Sequence, residues 1–352
     1  MAIISSTYSI LINSQRIMES LQKDLGDRQK ELSTGRKSDI VIDLGSQMRK
    51  SANSHSLYST LDTYLSNNLI SSARLETTQT VLSDIASNAE KFKSSLLMAQ
   101  NDSNGQKIIT EQANNILNLL ISSLNTSNSN TYIFSGTKTD AQPLNPYFRN
   151  PQSPAKSAID LAYSSNPPNG FGFTQISSMV SGITPDQMNN FINGPFSNLF
   201  SDTEWPKNWS NASNQPLINR ISPNLKLDTS ITVNDPALRK FAMAYVMMAD
   251  LGADRLNEKT YKILTQNAIN YLEEGLIQLN ATRARVGVIQ QTIDGVNRAM
   301  IIQKDILNIQ IVKLESSDQS VVAANINNLL NRIEASYTLT ARLSNLSLTK
   351  YL

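Results

Sequence analysis

Residues 61–99 read LDTYLSNNLISSARLETTQTVLSDIASNAEKFKSSLLMA. Within them Leu61, Tyr64, Asn68, Ser71, Leu75, Thr78, Leu82, Ile85, Ala89, Phe92, Leu96 and Ala99 recur at alternating spacings of three and four. An α-helix turns once in about 3.6 residues, so these positions share one stripe. Held for about five heptads, the stripe predicts a long coiled-coil-like helix. After the turn Asn101-Asp102-Ser103-Asn104-Gly105, a second helix is predicted from Ile109, Ala113, Ile116, Leu120 and Leu124. A short turn between two helices makes them antiparallel neighbours.

Proline divides the chain. All 12 prolines lie between Pro143 and Pro236. A helix-interior proline removes a backbone donor and costs about 3 kcal/mol, so the flanks are free to form unbroken helices and the middle is not. The middle also holds Trp205, Trp209 and six of the nine phenylalanines. It reads as an inserted, loop-rich, strand-bearing domain over 141–234 with a small aromatic core of its own.

Beyond the insert, Asn234-Asp235-Pro236 is a helix start, an acid in the capping position followed by proline at the first helical one. From Ala268 a stripe runs through Leu272, Gly275, Leu279, Thr282, Val286, Ile289, Ile293, Val296, Met300, Gln303, Leu307, Gln310 and Leu314. Such a helix is roughly 70 Å long. The phase slips at Ser316-Ser317-Asp318-Gln319, where Ser316 and Gln319 fit a capping box. It resumes at Val322, Ile326, Leu329, Ile333, Ser336, Thr340 and Leu343. At the other end Leu11, Ser14, Met18, Leu21, Leu25, Arg28 and Leu32 form a matching stripe, closed by Gly35 as a helix stop.

The expected plan is mainly α: a rod of long antiparallel helices over 38–140 and 235–317, paired terminal helices over 1–37 and 318–352, and the central mixed insert. The two long-helix segments read as the chain's own core. A terminal pair of about 30 residues per helix has too little core to stand alone. Its stripes, Leu11, Met18, Leu21, Leu25, Leu32, Val322, Ile326, Leu329, Ile333 and Leu343, are therefore expected to order on assembly and to pack against neighbouring copies.

Composition narrows the chemistry. The chain has no cysteine and a single histidine, His55, which excludes disulfides, thiolate sites and two-histidine metal sites. A net charge of +2 from 31 basic and 29 acidic residues is no footprint for nucleic acid or an anionic membrane. The first residues carry no secretory-signal pattern, and no apolar run approaches the roughly 20 residues a bilayer span needs. No nucleophile and base form a set around His55, which reads as a surface or interface residue. Glu273 and Glu274 are adjacent on a helix, do not face one another, and read as a solvated face. No enzyme activity and no cofactor are expected.

Three elements carry a family resemblance. Leu32-Ser33-Thr34-Gly35-Arg36-Lys37 resembles the basic joint that ends the first helix in the flagellin superfamily, with Ser33, Gly35 and Arg36 at the matching positions. Tyr132-Ile133-Phe134-Ser135-Gly136-Thr137-Lys138 resembles the element that leads into the insert in the superfamily's hook-associated members, through Phe134, Ser135 and Gly136. Arg283-Ala284-Arg285-Val286-Gly287 is similar to its Ala-Arg-Val-Gly element, through Arg285, Val286 and Gly287. The close, Leu346-Ser347-Leu348-Thr349-Lys350-Tyr351-Leu352, also looks like the hook-associated members. The chain departs where relatives carry paired aspartates, having only Asp39 and Asp43 there. The resemblance implies a structural subunit of the bacterial flagellum, exported unfolded without signal cleavage and placed between hook and filament. Its implied partners are copies of itself, a neighbouring hook-associated protein, flagellin, the export apparatus and a secretion chaperone. Bulk filament subunit is the alternative.

Overall fold

The computed structural model describes residues 2–99, 105–128 and 130–348, with backbone alone for residues 2–8, 11 and 343–348. Leu11, Leu343, the turn residues 101–104 and the close from Thr349 onward fall outside the described side chains or residues. In chain order come the helices α1 (Ala2–Thr34), α2 (Ile40–Leu44), α3 (Met48–Ala99) and α4 (Gly105–Leu124). A hairpin of β1 (Ser127–Asn128) and β2 (Thr131–Tyr132) follows, then α5 (Pro154–Ser164), α6 (Pro185–Phe191) and α7 (Trp205–Asn208). A second hairpin, β3 (Ile218–Ser222) and β4 (Leu225–Asp228), precedes α8 (Pro236–Asp250), α9 (Glu258–Glu315) and α10 (Gln319–Leu348). Both hairpins are antiparallel, pairing Ser127 with Tyr132 and Ile218 with Asp228. The fold class is the expected one, mainly helical with a small strand-bearing insert.

The long helices exceed their predicted lengths. α3 begins ahead of Leu61, and its buried stripe extends back through Ser54 and Ser51. Along 61–99 every predicted stripe position except Tyr64 is buried. α9 has 58 residues and starts ten positions before Ala268. Its stripe holds as predicted from Leu272 to Met300, then departs: Gln303 and Gln310 are exposed, while Leu307, Ile311 and Glu315 are buried. A strict seven-residue repeat falls behind a straight helix by about 20° per heptad, so the buried line moves forward one residue, from 310 and 314 to 311 and 315.

Two compact units form, residues 64–298 and residues 1–63 with 299–352. Each of these boundaries lies inside a helix, unlike the joints expected near 37 and 318.

Residues 64–298 hold one continuous hydrophobic cluster. Phe92, Ala113 and Leu272 from the long helices share it with Trp205, Trp209 and Ile221 from the insert. Among the described residues the aromatics of the insert thus join the main core instead of forming a separate one, and α8 is covered on all sides. From Phe241 to Met248 every residue of α8 is buried. The insert supplies part of that cover: Arg239 donates to the Phe200 carbonyl at 3.1 Å, and the Tyr147 hydroxyl donates to Asp250 at 2.5 Å. Tyr147 stacks on Trp209, and Trp209 on Trp205, each at 5.1 Å between ring centres. Burial pushes the Asp250 carboxyl above its ordinary range, against the pull of Lys156 at 3.0 Å.

Polar residues within the α3 stripe hold the second hairpin. The Asn68 amide donates to the Ile221 carbonyl at 3.0 Å and to Asn297 Oδ1 at 2.7 Å. Asn219 donates to Ser71 Oγ at 2.9 Å and to Thr229 Oγ1 at 2.8 Å. Replacing residues 146–230 by a short Gly/Ser bridge is therefore expected to unfold α8 and loosen its neighbours. Circular dichroism of that variant should show less helix than the retained residues account for; a full helical signal with an unchanged melt would show that the insert is dispensable to the core.

Candidate assembly interface

The first and last helices pair within residues 1–63 and 299–352. α1 packs along α10, with Leu21, Val322 and Ile333 buried and Met18, Leu25, Ile326 and Leu329 half-buried. Ser14 Oγ and Thr340 Oγ1 share a hydrogen bond at 2.8 Å, and the Gln22 amide donates to the Tyr337 hydroxyl at 3.1 Å. Leu32 lies at the margin, 39% exposed. The stripes expected to wait for a neighbouring copy thus already meet inside one chain. Burying one such side chain fully contributes about 1.5–3 kcal/mol.

The pairing leaves other apolar side chains exposed. On α1 Ile10 and Ile17 remain open, on α10 Val321, Leu330 and Leu339, and on α9 Ile302, Ile306 and Ile309. Isoleucines at 302, 306 and 309 follow a helical spacing of four and three, which makes a second apolar stripe on α9. Sequence reading missed it because the stronger stripe through Met300 and Leu307 dominates the same segment.

The joint between these helices is polar and closely bonded. Gly35 adopts φ +68°, the left-handed conformation that ends a helix and that glycine accepts without strain. Lys37 N donates to the Glu315 carbonyl at 2.9 Å, and Ser317 N to the Gly35 carbonyl at 3.0 Å, so the two chain crossings are hydrogen-bonded to each other. Ser33 Oγ donates to the Lys30 carbonyl at 2.9 Å. Asp39 caps α2, accepting from Val41 N and Ile42 N. α10 is capped by Asp318, which accepts from Ser320 N at 2.9 Å. The expected Ser316–Gln319 capping box does not form: α10 starts only at Gln319, with Asp318 in the capping position, and Ser316 N still donates to the Val312 carbonyl of α9.

Two glutamates are buried here, each 1% exposed. Glu315 Oε1 accepts from Ser51 Oγ at 2.6 Å and lies 2.6 Å from His55 Nε2. Arg36 comes within 3.7 Å of Glu315 Oε2. Glu31 accepts from Ser38 N at 3.0 Å and from Arg28 at 2.7 Å. Burial pushes both carboxyls up, but the hydrogen bonds and cations facing them prevail and hold both below the ordinary value of 4.5. His55 is thus neither free nor part of a nucleophile set: it is a half-exposed partner of a buried acid. Glu273 and Glu274 are more than half exposed and pair with Lys93 and Lys240.

In residues 64–298, the Phe134-Ser135-Gly136 element fastens the way into the insert to the way out. Phe134 is fully buried, and its carbonyl accepts from Val233 N at 3.0 Å. The Ser135 carbonyl accepts from Ser213 N at 3.0 Å, and Thr137 N donates to the Gln215 carbonyl at 3.1 Å. Arg74, on α3, donates to the Tyr132 and Ile133 carbonyls at 2.7 and 2.9 Å. Gly136 has φ +62°, and a Cβ there would lie 2.6 Å from the Gln215 carbonyl oxygen. In the third element Val286 is fully buried, while Arg285 stands 62% exposed, 3.8 Å from Asp235. A Cβ on Gly287 would meet nothing within 4 Å. The three elements thus serve three different places.

Among the described residues no group of three or more His, Asp or Glu side chains could hold a metal, and no helix is long and apolar enough to cross a membrane. Residues 5–139 match the sequence profile of the bacterial flagellin N-terminal helical region, and residues 269–352 that of the bacterial flagellin C-terminal helical region. The chain belongs to the flagellin superfamily. It is a structural subunit of the flagellum, in a family whose members are not enzymes. No curated protein sequence matches this flagellin-superfamily chain at a significant level. Among solved structures, a flagellar hook-associated protein from Vibrio parahaemolyticus has a similar fold, with a TM-score of 0.54 at 12% identity over 78% of this chain and 99% of that one. FlgL of Bacillus cereus aligns with a TM-score of 0.46 at 12% identity, over 74% of this chain and 98% of that one.

Gly136→Ala combines a left-handed backbone with a clash against backbone oxygen, and is expected to destabilise residues 64–298 by about 3 kcal/mol. Gly287→Ala, in open space within a helix, is expected to leave the chain's melting temperature unchanged or raise it, by up to about 1 kcal/mol of stability. Thermal melts of the two variants beside the parent check both.

Proposed function

We propose that this flagellin-superfamily subunit forms a junction layer between hook and filament, having been exported unfolded and without cleavage, and that its terminal segments carry the assembly contacts. The observation that carries the reading is the Phe134-Ser135-Gly136 element, whose buried phenylalanine and left-handed glycine tie both ends of the insert together. That element resembles the hook-associated branch rather than the filament subunit, and the name of the Vibrio parahaemolyticus protein of similar fold points the same way. Neighbouring copies, the adjoining hook-associated protein and flagellin are the partners in this reading, with the export apparatus and a secretion chaperone acting earlier.

Assembly follows from the unequal faces of the terminal helices. The stripe through Leu21, Val322 and Ile333 holds the pair together, and the outward Ile17, Ile302, Ile306, Ile309 and Leu330 offer apolar surface to a neighbour. An exposed apolar patch of this kind marks an interaction surface. The proposed assembly segments are 1–37 and 318–352, together with the α9 stretch that carries Ile302, Ile306 and Ile309.

Two measurements test the reading. A junction layer requires a fixed number of copies per flagellum, whatever the filament length; quantitative immunoblots of flagella sheared to different lengths should show that constancy, and a copy number rising with length would assign the chain to the filament. Ile333→Asp places a charge in the buried face of the pair, and cells carrying it are expected to lose attached filaments while still secreting the protein. Normal filaments on such cells would remove the terminal pair from assembly.

A further inference from the structure

Both buried glutamates sit where the chain crosses between helices, and each holds an element other than its own. Glu315 ends α9, yet its carboxylate binds Ser51 and His55 of α3 and faces Arg36 of the link after α1. Glu31 lies in the last turn of α1, yet it holds the backbone N–H of Ser38, three residues past Gly35. The titratable or charged groups facing Glu315 are therefore His55, 2.6 Å away, and Arg36. Around Glu31 stands Arg28, with Asp24 and Asp43 close to that arginine. The remaining acid at the joint, Asp318, caps α10.

This arrangement favours ionised carboxyls. A buried carboxylate accepts from several donors at once; a protonated carboxyl has a hydrogen that itself needs an acceptor. Among the described residues Glu315 Oε2 has no hydrogen-bond partner, and the Arg36 guanidinium 3.7 Å from it cannot accept. Protonation therefore removes the attraction to Arg36, and at Glu31 it sets a carboxyl hydrogen against the Ser38 N–H and Arg28, neither of which can accept it, a costly state.

We propose that Glu31 and Glu315 form an acid-sensitive latch, whose protonation frees α1 and α10 from the α3 and α9 segments of their own unit while residues 64–298 stay folded. The sign follows from linkage. A carboxyl held below its unfolded value of 4.5 contributes stability at every pH above that value, and the contribution is lost as pH falls through the folded pKa. In residues 64–298 the partly buried Asp250 is shifted the other way, upward, so protonating it relieves the fold rather than straining it.

The experiment is amide hydrogen exchange on the full chain, read peptide by peptide, at pH 7 and at pH values stepped below 4.5, with rates corrected for intrinsic exchange. Glu315→Gln and Glu31→Gln, singly and together, are measured at pH 7. The latch predicts that in acid α1 and α10 lose protection by about tenfold or more, the factor equivalent to one pKa unit, before α4 and α8 change. It also predicts that the double variant shows the same selective loss at pH 7. Retention of wild-type protection in α1 and α10 by the double variant would overturn the proposal. So would acid-induced loss in α4 and α8 at the same pH as in α1 and α10, or a double variant that loses protection throughout, because either would show a global rather than a local dependence. The test concerns the joint alone, and its outcome is independent of whether the subunit serves junction or filament.

Discussion

A helix of 3.6 residues per turn cannot keep a strict heptad stripe on one side unless it supercoils. In α9 that constraint decides what is buried at the far end. Through Leu272, Leu279, Val286, Ile293 and Met300 the heptad and the real helix agree closely enough for the same residues to be covered. By the last turns they differ by one position, and Glu315 rotates onto the covered face in place of Leu314. A carboxylate on an apolar stripe is tolerable only with donors around it. Ser51 and His55, one turn apart on α3, supply them, and the joint is built around that need.

The polar interruptions of α3 have a related origin. Asn68, Ser71 and Thr78 look like defects in an apolar line, yet all three are buried. Asn68 and Ser71 meet the β3–β4 hairpin through side-chain amides. A short two-stranded hairpin is marginal in water by itself, and directional bonds to a rigid helix set its position. Chain entering and leaving the insert is set in the same way, by backbone bonds around Ser135 and by Arg74 beneath them. The insert is consequently part of the core that encloses α8 rather than an appendage to it.

Family membership places the chain in the flagellum, and in the proposed reading the apolar side chains left exposed near its ends are what assembly covers. One face is consumed by pairing within the chain. Ile17 and Leu330 beside it, and the isoleucine stripe of α9, are left exposed among the described residues, and burial of such surface drives association.

The helical plan was legible in the residues themselves. Proline confined to 143–236, stripes repeating at three and four, Gly35 as a stop and Asp235-Pro236 as a start are local signals, and each acts within a few residues of where it is written. The α3 stripe, the α8 start and the end of α1 accordingly stand where they were expected. Periodicity shows that a face is apolar and leaves its partner unnamed, so only the tertiary structure decided that α1 covers α10 within one chain. It also decided that the insert shares the main core, that Asp318 rather than Ser316 caps α10, and that Glu31 and Glu315 are buried. Each of these depends on donors and surfaces brought from distant parts of the chain, as when Ser51 reaches Glu315, and no spacing along the sequence carries that distance.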